Sequence, residues 1–168
     1  ESNGYAHISY YDFSNSSLKY ASQNASGWTT ETVDNTGRVG EYTSLALDAS
    51  GNAHISYYDD SNSSLKYAVQ DENSWVIEIV DSTGDVGECN SLALDVNNNA
   101  HFSYYDSSND SVKYAFLNVT GFFSEIVDNM GSLGEVTSLV LDFNGYAHIS
   151  YYDATGQNGL RYATNNPT

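Results

Sequence analysis

The phrase AHISYYD occupies Ala6–Asp12. It returns as AHISYYD at Ala53–Asp59, as AHFSYYD at Ala100–Asp106 and as AHISYYD at Ala147–Asp153. The starts at 6, 53, 100 and 147 are 47 residues apart each time. A fixed period of this size marks a repeat architecture, in which each unit is one supersecondary motif that buries its faces against its neighbours. Within the phrase, Ala53, Ile55 and Tyr57 alternate with His54, Ser56 and Tyr58, the period-two pattern of a strand.

Outward from the phrase, the same reading gives three more strands per unit. TSLALD (Thr43–Asp48) precedes it, separated by the tight turn ASGN, whose Gly51 is suited to a positive φ. A polar hairpin leads on to SLKYA (Ser64–Ala68), and SWVIEIVD (Ser74–Asp81) follows, alternating Trp75, Ile77 and Ile79 with Val76, Glu78 and Val80. STGDVGECN (Ser82–Asn90) is the longest connection. No segment carries an apolar stripe at helical spacing between caps, so the chain reads as all-β.

Four-stranded units with apolar residues on both faces need a neighbour on each side. A β-propeller supplies one by packing blades around an axis. The small residues of SLALD suit the crowded innermost strand, and the bulky strand with Trp28, Trp75 and Phe122 suits the rim. The expected fold is therefore a propeller-like array of four-stranded antiparallel blades with a 47-residue repeat. The units are 1–42, 43–89, 90–136 and 137–168, about three and a half repeats. The first lacks its inner strand and the last its outer one, so 14 strands fall as three, four, four and three. The unpaired end strands are expected to meet neighbouring repeats or another copy of the chain.

Taken together, SLALD-x-x-G-x-AHISYYD-x-x-N-x-x-LKYA, the following Trp and the VGE link resemble propeller-type repeats of large secreted or cell-surface proteins of bacteria and archaea. The resemblance covers the whole chain. It implies an extracellular, non-enzymatic module with a structural or scaffolding role, and it brings no functional residue with it.

Composition narrows the partners. A net charge of −17 argues against nucleic acid and against an anionic membrane surface. No apolar run is long enough to insert into a membrane. The sole cysteine, Cys89, stands where other units carry Tyr42 and Val136, which fits a small apolar filler and excludes a disulfide framework.

Candidate site residues follow the repeat. Glu41, Glu88 and Glu135, in VGEYTS, VGECNS and LGEVTS, place one carboxylate per blade just before the inner strand. Such a ring of like charges is relieved either by a cation such as Ca²⁺ or by hydrogen bonds to the backbone. His7, His54, His101 and His148, one per blade, suit core imidazoles bonded to a neighbouring blade. Lys19, Lys66, Lys113 and Arg161 are expected to face Asp12, Asp59, Asp106 and Asp153 across each hairpin. Asn15, Asn62 and Asn109 at one hairpin tip, with Asn24 and Asn118 at another, are glycosylation sequons. Tyrosines beside Asp12 and Asp59 offer the alternative function, a lectin-like module that stacks sugars on aromatic rings. No acid departs from the repeat to form a singular reactive constellation, so the chain is read as no enzyme.

Overall fold

The computed structural model describes residues 4–72, 74–131, 133–154 and 159–166, those at 133–135 by backbone alone. All 14 described strands are antiparallel, and no helix occurs among the described residues. The first sheet holds β1 (His7–Asp12), β2 (Ser17–Asn24) and β3 (Gly27–Asp34). The second holds β4 (Val39–Leu47), β5 (Ala53–Asp59), β6 (Ser64–Asp71) and β7 (Ser74–Asp81). The third runs β8 (Val86–Leu94), β9 (Ala100–Asp106), β10 (Ser111–Asn118) and β11 (Gly121–Asp128). The fourth has β12 (Leu133–Leu141), β13 (Ala147–Asp153) and β14 (Gly159–Thr164). Each sheet keeps sequence order, and β4, β8 and β12 run side by side as the inner strands. The array is propeller-like and open.

The repeated phrase is buried on both faces. Every residue of β5 is buried, and Ile55, Tyr57, Phe102 and Tyr104 are wholly so. The core comes in three parcels, one per junction between blades. Leu18 and Tyr20 of the first blade pack with Ile55 and Tyr57 of the second. Leu65 and Tyr67 meet Phe102 and Tyr104, and Val112 and Tyr114 meet Ile149 and Tyr151. Fully burying side chains of this size stabilises by roughly 1.5–3 kcal/mol each, so most apolar stabilisation lies between blades.

Small residues on the inner strand have a second reason. Ser44 Oγ accepts from the Leu92 amide at 3.1 Å, and Ser91 Oγ from the Leu139 amide at the same distance. Asn90 Nδ2 donates to the Tyr42 carbonyl at 2.7 Å, and Thr137 Oγ1 to the Cys89 carbonyl at 2.8 Å. Neighbouring inner strands are laced through short polar side chains that bulky ones would displace.

The inner strands start earlier than TSLALD. Val39, Val86 and Leu133 open them, so VGE lies inside the strand and the link between blades shrinks to residues 35–38 and 82–85. The register slips between Val39 and Ser44 and between Val86 and Ser91. This irregular pairing concealed the strand in the sequence, because a bulge breaks alternation. Tyr42 and Cys89 take φ of 50° and 49° there. Cys89 forms no disulfide and contributes a bulge carbonyl.

Gly40 and Gly87 are required twice over. Their φ values are 107° and 110°, and an added Cβ would lie 2.7 Å from the Leu18 Cα and 2.8 Å from the Leu65 Cα of the preceding blade. Backbone, unlike a side-chain tip, has no room to give. Gly87→Ala is expected to destabilise the chain by ~2–4 kcal/mol, read as a lowered midpoint in urea with an unchanged slope.

Candidate functional site

The charged groups of the repeat converge at the junctions between blades. Asp34, Asp81 and Asp128 end the outer strands and are reached from the next blade. Tyr57, Tyr104 and Tyr151 donate to them at 2.7, 2.7 and 2.8 Å. Lys66 and Arg161 join at 3.2 and 2.8 Å, and Lys113 is in contact with Asp81. The same bases also meet the expected hairpin partners, Lys66 with Asp59 at 2.8 Å and Arg161 with Asp153 at 2.6 Å, while Lys113 to Asp106 is 4.0 Å. Each base is thus shared by two carboxylates, and only one of them lies in the expected hairpin. The partner from the preceding blade is separated by a whole unit and left no local signal. Lys19, in the first blade, donates to Thr32 Oγ1 at 2.7 Å.

Burial alone would raise the Asp81 carboxyl, but Lys113, Thr83 and Tyr104 hold it below the usual carboxylate range. Asp34 is held low in the same way, against burial, by Tyr57, Thr36 and Lys66. The buried phenols shift upward, Tyr151 to about 12 through burial and its bond to Asp128.

The described hydrogen bonds of the histidines lie within their own blade, where a bond to a neighbouring blade was expected. Nδ1 of His101 meets Tyr114 Oη at 2.6 Å, and His7, His54 and His148 meet Tyr20, Tyr67 and Tyr162 likewise. On the other side of the ring, Nε2 stands 3.8 Å from Asp48, 3.9 Å from Asp95 and 3.6 Å from Asp142. Burial pushes His54 and His101 down, against the pull of Asp48 and Asp95. A carboxylate–imidazole–phenol line spans each of these blades, the phenol hydrogen-bonded to the ring and the carboxylate 3.6–3.9 Å from it. Sequence reasoning missed it because its members sit six and 13 residues apart, as in Asp48, His54 and Tyr67.

Glu41 bears on Glu88, but the two carboxylates meet different partners. Glu41 accepts from Arg38 at 2.7 Å, and Arg38 also reaches Asp60 at 3.3 Å. Glu88 has an acid, Asp85, where Glu41 has Arg38. Burial, then Asp85, Glu41 and Asp60, pushes the Glu88 carboxyl up. The side chain of Glu135 lies outside the described residues. Among the described residues no three His, Cys, Asp or Glu converge as a metal site.

The sequons separate into two kinds. Asn15, Asn62 and Asn109 donate Nδ2 to Asp12, Asp59 and Asp106 at 2.8, 2.9 and 2.9 Å, closing the hairpin tip, and their hydroxyl partners Ser17, Ser64 and Ser111 are buried. Asn24 and Asn118 instead use Oδ1 to cap the turns at Ser26 and Thr120, each 2.8 Å away, with the whole sequon exposed.

Of the YYD rings that the lectin alternative would use, Tyr10 is 36% exposed. Tyr57, Tyr58, Tyr104 and Tyr151 are buried. A different opening breaks the repeat. The turn after each inner strand carries Ala49, Val96 and Phe143 in succession, and Phe143 is 95% exposed. Between the last two turns lies a cleft of about 360 Å³, lined by Asp95, Val96, Asn97, Asp142, Phe143 and Asn144. Asp95 and Asp142 are committed to their turns, accepting the Asn97 and Asn144 amides at 2.8 Å. Both carboxyls are held low: Asp95 against burial by Asn99 and Asn97, Asp142 by the Tyr146 and Asn144 amides and His148.

With this geometry in view, the likenesses to known proteins fall into place. No family model matches the sequence, and no curated protein does. Solved structures do match. A fucose lectin from Kordia zhangzhouensis is similar at 19% identity and a TM-score of 0.54, over 75% of this chain and 93% of the lectin's. A protein of unknown function from Dyadobacter fermentans gives 15% identity and a TM-score of 0.69 over 98% of this chain. An alpha-L-arabinofuranosidase from Clostridium thermocellum gives 16% and 0.53 over 91%. The chain spans 50% of the Dyadobacter chain and 59% of the arabinofuranosidase's. At these identities the likeness establishes a fold of propeller type.

Removing the junction carboxylate tests the clamp. Asp81→Asn leaves Lys113 and Tyr104 without their buried acceptor, and an expected loss of about 3 kcal/mol follows at neutral pH. A carboxylate held low stabilises above its unfolded value, roughly pH 4, and loses that contribution as pH falls through the folded value. Melting temperature should therefore decline less steeply below about pH 4 in Asp81→Asn than in the parent chain.

Proposed function

We propose that this chain is a non-catalytic carbohydrate-binding propeller module of an extracellular or cell-surface protein. The observation that carries the reading is the cleft between the turns at Asp95–Asn99 and Asp142–Gly145. There the repeat gives up its regularity to expose an aromatic ring beside two amide side chains, Asn97 and Asn144. The C–H face of a sugar stacks on such a ring, and its hydroxyls exchange hydrogen bonds with amides. Glycoside hydrolysis needs an acid that holds its proton near neutral pH. The two carboxyls at this cleft are instead held low and tied into their turns, which favours binding over cleavage. The fold likeness to a fucose lectin supports the same reading.

A scaffolding role is the second reading. Ile8 and Tyr10 on the first blade are 46% and 36% exposed, whereas their equivalents Ile55 and Tyr57 are wholly buried against a preceding blade. The first blade thus presents a docking face for another blade, as a spacer in a longer array would.

Glycan-array screening followed by calorimetry with the best neutral oligosaccharide tests binding. Phe143→Ala should weaken it about tenfold or more without lowering the melting temperature. An array without hits, or equal affinity for the variant, would overturn the carbohydrate reading.

A further inference from the structure

The hairpins that lead into the outer strands β3 and β11 turn on Asn24 and Asn118. Each Asn closes its turn with Oδ1, which accepts the amide two residues on, from Ser26 and Thr120, at 2.8 Å. Thr120 adds its hydroxyl, Oγ1 donating to the same Oδ1 at 2.6 Å. Among the described hydrogen bonds none uses Nδ2 of either Asn, and all three residues of each tip, Val119 included, are exposed. Each tip thus offers a carboxamide nitrogen and a hydroxyl together in solvent. The other three sequons carry the same pattern of letters in the opposite geometry. Nδ2 of Asn15, Asn62 and Asn109 is given to the carboxylate of Asp12, Asp59 and Asp106. Their hydroxyl residues, Ser17, Ser64 and Ser111, open the strands β2, β6 and β10 and are buried.

We propose that Asn118 and Asn24 are acceptor sites for N-linked sugar in the folded chain, and that Asn15, Asn62 and Asn109 are not. Attachment takes place at Asn-x-Ser/Thr on a surface loop, where a transferase can hold the amide and the hydroxyl at once. The donor is an oligosaccharide carried on a lipid diphosphate. Nδ2 bonds to the anomeric carbon of the sugar as the bond from that carbon to the diphosphate oxygen breaks. The diphosphate leaves with the electron pair, and the Nδ2 proton passes to a carboxylate of the transferase. At Asn118 this requires no change in the sheet. At Asn62 it requires Nδ2 to leave Asp59, a wholly buried acid, and Ser64 to be lifted from its strand. Leaving a buried acceptor without its donor is costly. Asn118 ranks above Asn24, because Thr120 is drawn to the amide by two described bonds and Ser26 by one. The proposal takes from the preceding reading only that the chain is exported, and it makes no use of the cleft.

The test incubates the whole folded chain, made without sugar, with a lipid-diphosphate oligosaccharide and an oligosaccharyltransferase. The enzyme is chosen because it modifies two free peptides, residues 114–124, YAFLNVTGFFS, and residues 58–68, YDDSNSSLKYA. Glycopeptide mass spectrometry of the folded chain should find sugar on Asn118, more slowly on Asn24, and none on Asn15, Asn62 or Asn109. Thr120→Ala should end modification at Asn118 while leaving Asn24 and the melting temperature unchanged; if that variant melts lower, the five sites of the parent chain decide alone. A folded chain left bare at Asn118, or modified at Asn62 as fast as at Asn118, overturns the proposal. Phe143→Ala, which removes the ring at the cleft, should leave the pattern of modification as it is, so the two readings fail separately.

Discussion

Each of the first three blades ends in a carboxylate that the following blade reaches. Asp34, Asp81 and Asp128 stand at the last position of their outer strands and take a phenol and a cation from the blade that follows. A buried acid of this kind is costly alone and inexpensive only when its partners arrive. The junction is therefore cooperative: the apolar parcel brings Tyr and Lys into place, and their pairing makes burial of the Asp tolerable. The glycine at the start of the inner strand follows from the same closeness, since Gly40 and Gly87 lie against the backbone of the strand whose blade is being joined. A chain with only five cationic side chains places three at these junctions.

The fold was legible because its signals are local and repeated. Period-two alternation in AHISYYD, tight turns such as ASGN and the 47-residue interval between 6 and 53 suffice for strand order and blade count. The limits of the inner strand were not legible, since the bulge at Tyr42 and Cys89 removes alternation where the strand begins. Alternation put Tyr57 on the face of Ala53 and Ile55, and all three are wholly buried. Contacts across whole units were harder. Lys66 reaches Asp34, 32 residues back, as well as the Asp59 of its own hairpin. Nothing in local spacing distinguishes the two acids. The glutamates show the converse. They share a motif but not an environment, because Arg38 gives way to Asp85 one unit later.

Repetition also explains where a ligand site is to be sought. A residue that recurs in every blade at a buried position has been recruited to make one blade fit the next, and its chemistry is consumed there. The Tyr, Lys and Asp of the repeat, which look functional in the sequence, are spent in this way, and the His is spent on a Tyr of its own blade. Freedom to differ exists only where no neighbouring blade imposes a shape. The turn tips meet that condition, and there Ala49 becomes Val96 and then Phe143 without disturbing the Asp-anchored turn beneath, since Asp48, Asp95 and Asp142 accept the same amides in each.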